Sequence, residues 1–186
     1  MKSRQSKKDQ IYQIKVTLKG SKPPIWRRFQ VTGDTTLHKL HLILQEVMGW
    51  EDYHLHQFIV GNAYFGEPDP DFDAEDDGKV KLSQIVRSER QKFIYEYDFG
   101  DDWRHEILVE KIHQPEPGVR YPVCVKGKRA CPPEDCGGVW GYDDLLEIIK
   151  DPDHEEYEEM MDWLGGEFDP EAFDLDSINQ RLRSIG

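Results

Sequence analysis

The chain has 186 residues, 37 % hydrophobic and 11 % aromatic, enough for one domain with its own core and too aromatic for a disordered polymer. Its 24 basic and 37 acidic residues leave a formal net charge of −13, which disfavours whole-surface binding to nucleic acid or anionic lipid. No run approaches the roughly 18 apolar residues of a membrane span. The segment Met1 to Lys8 lacks the apolar stretch of a secretory signal, and three cysteines, an odd number, suit a reducing compartment. The expectation is a cytoplasmic protein with no membrane partner.

Residues 1–8 are polar and basic and read as a disordered tail, leaving 9–186 as a single domain. Tyr12, Ile14, Val16 and Leu18 alternate with polar residues, the period of a half-buried strand. After a break at 20–24, residues 25–31 read as a second strand. Asp34 or Thr35 is placed to cap a helix carrying Leu37, Leu40, Leu44 and Val47, with Gly49 at its C-terminal cap. Residues 54–60 read as a third strand, with His54, His56, Phe58 and Val60 on one face. Tyr64-Phe65-Gly66 then leads into a solvated acidic loop over 67–78, where Gln84 stands in place of the bidentate glutamate a calcium loop needs.

Strand character returns at Phe93, Tyr95, Tyr97 and Phe99. Across a turn at Gly100-Asp101-Asp102 it continues at Trp103, His105, Ile107 and Val109, so the two runs read as an antiparallel hairpin. Residues 115–141, rich in Pro and Gly, read as one long loop, a length usually reserved for function. Helices follow around Leu145 to Ile149, around Tyr157 to Leu164 after Asp153, briefly after Asp169-Pro170, and finally around Ile178 and Leu182 with Asp176 as cap. The fold class expected is α+β: a mainly antiparallel sheet of about five strands, one helix after the second strand, and a C-terminal group of three to four helices.

Three thiols, Cys124, Cys131 and Cys136, fall within thirteen residues, with six and four residues between them. With His105, or else His54 or His56, as fourth ligand they form a candidate zinc site, although a zinc knuckle has spacings of two. The alternative is thiols packed as small apolar groups. His54, His56 and His105 on strands, among Asp98, Asp101 and other carboxylates, make a second candidate cluster suited to a hydrolytic metal. Gly137 and Gly138, after Glu134 and Asp135, start a helix whose N-terminus favours an anion or is satisfied by those acids. Between Asp151 and Asp176 every charged side chain is a carboxylate, the pattern of a solvated face. Lys22, Arg27 and Arg28 around Trp26 form a basic-aromatic cluster that nucleic acid could use. No hydrolase elbow, phosphate-binding loop, dinucleotide fingerprint or zinc-protease helix occurs.

Four motifs in order resemble the plasmid ORF-three-like family, first named from a root-inducing plasmid of a plant-associated bacterium. They are Ile25-Trp26-Arg27-Arg28; Met48-Gly49-Trp50 with His54-Leu55-His56-Gln57-Phe58; Tyr97-Asp98-Phe99-Gly100-Asp101-Asp102-Trp103; and Cys131-Pro132-Pro133-Glu134-Asp135-Cys136-Gly137-Gly138 with Gly141-Tyr142. The resemblance spans residues 11–182 and implies a sheet flanked by helices. Some relatives carry a resolvase or peptidase label, but no serine here has the arginine-rich setting that resolvase chemistry requires.

The leading expectation is a binding or interaction domain for a small molecule or protein partner. Its polar-aromatic site would draw on Trp50, His54, His56, Asp98, Asp101, Trp103, His105, Glu134, Asp135, Gly137, Gly138 and Tyr142. A second class is a metal-dependent hydrolase, with His105, Glu134 and Asp98 as catalytic candidates and Glu134 as general base. A third is a nucleic-acid-associated protein of mobile elements, which the net charge disfavours.

Overall fold

A computed structural model describes residues 6–71 and 73–186. The first alternating run forms β1 (Ile11–Leu18), paired antiparallel with β2 (Trp26–Thr32). Helix α1 (Leu37–Met48) is capped by Thr36, whose hydroxyl accepts the Lys39 N–H at 3.1 Å, one residue beyond the two candidates. Gly49 ends it in the left-handed region at φ 98°. The chain continues through β3 (His56–Val60), β4 (Ala63–Gly66), β5 (Glu75–Asp76), a 3-10 turn at Asp77–Lys79 and the short α2 (Leu82–Ile85). It then forms β6 (Lys92–Tyr97), β7 (Trp103–His113), β8 (Val123–Lys128), α3 (Gly138–Lys150), α4 (Tyr157–Trp163) and α5 (Leu175–Leu182).

The strands form one sheet in the order β5-β4-β3-β6-β7-β1-β2-β8, with β4 and β5 parallel and the other pairs antiparallel. The expectation of about five strands is therefore corrected to eight, and the sheet is mixed. Helix α1 follows the second strand as expected, but the short α2 also precedes the central hairpin, so the helices are not mainly C-terminal. The three strands missing from the sequence reading lie toward the sheet margins. Two of them have four residues or fewer, and β8 buries only Cys124, so none shows the two-residue apolar period. The segment after Asp169-Pro170 is a turn rather than a helix, and Asp174, not Asp176, caps α5 by accepting the Ser177 N–H at 3.0 Å. Residues 1–5 of the expected tail lie outside the described residues, while Lys7–Asp9 form a single 3-10 turn.

Register explains the core. Phe58, Tyr95, His105 and Leu18 lie side by side across β3, β6, β7 and β1, and His56, Tyr97 and Trp103 form the neighbouring row. These side chains face α1, and each large apolar one contributes about 1.5–3 kcal/mol by leaving water. The opposite sheet face is polar, tied by Arg28 to Glu110 at 2.6 and 2.8 Å and by Gln13 to Glu110 at 3.0 Å. The outer edge of β8 is covered by α5, where the Asn179 amide accepts the Cys124 N–H and donates to the Cys124 carbonyl, at 2.8 and 2.9 Å. Among the described residues no helix is long and apolar enough to cross a membrane.

Candidate functional site

Side chains from three of the four motifs meet at one end of the sheet. Trp50 leaves α1 and donates its indole N–H to the Pro132 carbonyl at 3.0 Å, while its ring stacks on Tyr97 at 5.0 Å. The Tyr97 hydroxyl donates to one oxygen of Glu134 and accepts the Tyr53 N–H at 3.0 Å. The other Glu134 oxygen accepts the Glu51 N–H at 3.1 Å. Glu134 thus acts as a strut with both oxygens engaged, which leaves it poorly placed for the general-base role. Burial and the Glu134 carboxylate both hold the Tyr97 phenol above its ordinary range.

Behind this strut, Trp103 and His105 have no exposed surface. Burial pushes His105 down to about 4, so the ring is neutral at pH 7. Its Nδ1 lies 3.3 Å from the Tyr95 carbonyl, and its Nε2 has no hydrogen-bond partner among the described residues. His105 is accordingly placed in the core, out of reach of a ligand at the surface. Tyr142 is buried as well.

In front of the strut, the turn between β6 and β7 meets the start of α3. Asp98 Oδ1 accepts the N–H groups of Gly100 and Asp101 at 2.9 and 3.3 Å, and Asp101 Oδ2 accepts the Gly137 N–H at 3.1 Å. The N–H of Gly137 at the helix N-terminus is therefore satisfied by an acid from another part of the chain, rather than by Glu134 or Asp135. Gly138, at φ +71°, allows this approach: a Cβ there would lie 2.4 Å from the Asp101 carbonyl oxygen. Between this junction and the β1–β2 loop lies an open groove of about 730 Å³, lined by Asp101, Gly137 and Gly138 together with Lys19, Lys22 and Trp140. Lys19 and Lys22 are exposed, and Trp140 is 83 % exposed. Arg104, also lining the groove, is held by Asp102 at 3.0 Å and Glu96 at 2.9 Å.

His54 and His56 do not share a site, because His54 precedes the regular ladder of β3. His54 Nε2 lies 3.0 Å from Asp135 Oδ1 and 3.6 Å from Asp98 Oδ2, beside the strut. His56 packs toward α1, its Nε2 2.7 Å from Asp77 Oδ2, with His38 Nδ1 3.7 Å from the other Asp77 oxygen. Its ring stacks on His41 at 3.5 Å, nearly parallel. Burial, reinforced by His56 and His38, pushes His41 down to about 2. A neutral His41 accepts the Tyr95 hydroxyl at Nδ1 and donates from Nε2 to Asp52, each at 2.7 Å, while Gln45 donates to the Tyr95 oxygen at 2.9 Å. Asp77 is itself buried, contrary to the solvated acidic loop expected there.

Among the described residues, two groups of three metal-competent side chains bring their ligand atoms within 4.8 Å of one another: His38, His56 and Asp77, and His54, Asp98 and Asp135. Neither contains a cysteine or His105. Cys124 points its thiol toward the Arg28 carbonyl at 3.5 Å, and Cys136 toward that of Gly138 at 3.9 Å. Burial pushes Cys124 up to about 11 and Cys136 up to about 12, and raises Cys131 too, so the thiols are protonated at pH 7. The basic-aromatic cluster is likewise occupied from within. Arg27 is buried and donates to the carbonyls of Val47, Trp26 and Lys128 at 2.7–3.0 Å, and Arg28 pairs with Glu110.

The residues that sequence reasoning missed are Lys19 and Trp140 of the groove and His41 and Asp77 of the buried network. His41 carries a readable signal: it follows Leu40 and precedes Leu44 on the apolar stripe of α1, where a histidine needs a buried partner. Asp77 has none, because a carboxylate in an acidic run looks like any other.

The chain is similar to an uncharacterised protein, y4hQ, of Sinorhizobium fredii (strain NBRC 101917 / NGR234). It is 35 % identical over 182 residues, which cover 94 % of this chain and 92 % of that one. Among solved structures the fold is similar to the crystal structure of MM3350, a protein of unknown function from Methanosarcina mazei Go1. The TM-score is 0.85 at 45 % identity, covering 90 % of this chain and 96 % of that one. The family model described as plasmid pRiA4b ORF-3-like protein matches residues 10–177, and the chain belongs to that family.

Proposed function

We propose that the protein is a cytoplasmic small-molecule-binding domain whose ligand lies in the groove between the β6–β7 turn, the β1–β2 loop and the start of α3. The observation that carries this reading is the groove itself. At about 730 Å³ it falls in the range of roughly 300–1,000 Å³ typical of ligand sites, and it opens where two motif loops meet. Its chemistry selects the ligand class. Among the described residues Lys19 and Lys22 pair with no carboxylate, so they offer two cations to an anionic group, and the exposed Trp140 offers a face to a flat ring. Asp101 and Gly137 are spent on each other and shape the wall.

A panel of nucleoside monophosphates and aromatic carboxylates tests this by thermal shift. Binding to the folded state alone raises the melting temperature in proportion to ln(1 + [L]/Kd). The expected result is a stabilising compound whose effect disappears in Trp140→Ala, weakens in Lys22→Ala and falls with added salt. These side chains are exposed, so neither variant should lower basal stability by more than about 0.5 kcal/mol. Stabilisation that survives both substitutions would overturn the reading.

A further inference from the structure

We propose that His54, Asp98 and Asp135 form a binding site for one divalent transition-metal ion, zinc or manganese. The three ligand atoms lie within 4.8 Å of one another, His54 Nε2 being 3.0 Å from Asp135 Oδ1 and 3.6 Å from Asp98 Oδ2. Adjacent ligands of one ion at about 2.0–2.2 Å are themselves roughly 3.0–3.5 Å apart, so these separations match a shared ion.

Two further observations set the cluster apart from an ordinary ion pair. His54 Nε2 is sealed from solvent yet makes no hydrogen bond among the described residues, despite the Asp135 oxygen at 3.0 Å. The close approach of that oxygen is therefore not a hydrogen bond, and the buried ring nitrogen keeps its ligating capacity. Asp98 is oriented as a ligand should be: its Oδ1 is held by the N–H groups of Gly100 and Asp101, which leaves Oδ2 for the ion. Neither carboxylate has a Lys or Arg partner among the described residues, and Glu51, Asp101 and Glu134 add negative charge around them. One imidazole and two carboxylates suit a borderline divalent ion and leave coordination positions for water or an exogenous group. Asp135 is largely exposed, so the ion has a path in.

The site does not depend on the groove reading, because metal alone is the probe. Untagged full-length protein, freed of metal by chelator and dialysed, is titrated calorimetrically with zinc chloride and manganese chloride. The expected result is one ion per chain, with affinity reduced about tenfold or more in His54→Gln and in Asp135→Asn, and unchanged in His38→Ala. Asp135→Asn changes an exposed side chain and serves if His54→Gln fails to fold. No binding, binding indifferent to both substitutions, or binding lost only in His38→Ala would overturn the assignment; the last would move the ion to the group of His38, His56 and Asp77.

Discussion

The Asp101 carboxylate accepts the Gly137 N–H at 3.1 Å, so the turn between β6 and β7 caps α3 across 36 residues of sequence. Loss of such a cap costs about 1 kcal/mol. Asp101→Ala should lose that much in urea unfolding, whereas Asp101→Asn keeps an acceptor and should lose less than half of it. Equal losses in the two variants would show that the carboxylate does not act as the cap.

Gly141 provides a steric test of the same junction. It lies within α3, where alanine ordinarily gains about 1 kcal/mol over glycine, yet a Cβ there would fall 1.9 Å from the Cys136 carbonyl oxygen. Gly141→Ala should therefore destabilise by more than about 2 kcal/mol. Gly165→Ala, at φ +80° with open space around it, should cost only about 1 kcal/mol of backbone strain. Melting curves of the two variants check the order, and its reversal would contradict the close approach.

Acid should weaken the fold through its buried histidines. His105 and His41 are pushed by burial to about 4 and about 2, whereas in the unfolded chain each protonates near 6.5. Below 6.5 the unfolded state binds more protons, so this contribution is complete above that pH and is lost as pH falls toward the folded values. From pH 7 to pH 5 the loss is about 2 kcal/mol for each histidine. Urea midpoints measured across that range should show it, and His105→Phe should remove its share. A pH slope unchanged in His105→Phe would contradict the assignment of His105.

What the sequence revealed follows from where period and chemistry coincide. The alternation of Tyr12 to Leu18 and of Phe93 to Val109 is visible because one sheet face is apolar and the other polar. β4, β5 and β8 escape notice because they are marginal, short or exposed, and their pairing follows from tertiary contact rather than from pattern. The candidate site was legible as a set of motifs but not as roles. Nothing local distinguishes Asp101, which caps a helix, from Asp98, which orients toward His54, or Glu134, whose two oxygens brace Tyr97 and Glu51. The cysteine spacing suggested a metal, but one group of side chains brought within ligand distance of one another, His54, Asp98 and Asp135, comes from segments 37 to 81 residues apart in sequence.

Amide chemical-shift mapping of the full chain, titrated with the best compound of the panel, tests the groove most directly. The expected shifts concentrate at residues 19–22, 100–102 and 137–140, the three segments that line it. Shifts centred elsewhere on the molecule, or no compound of the panel binding at millimolar concentration, would contradict it.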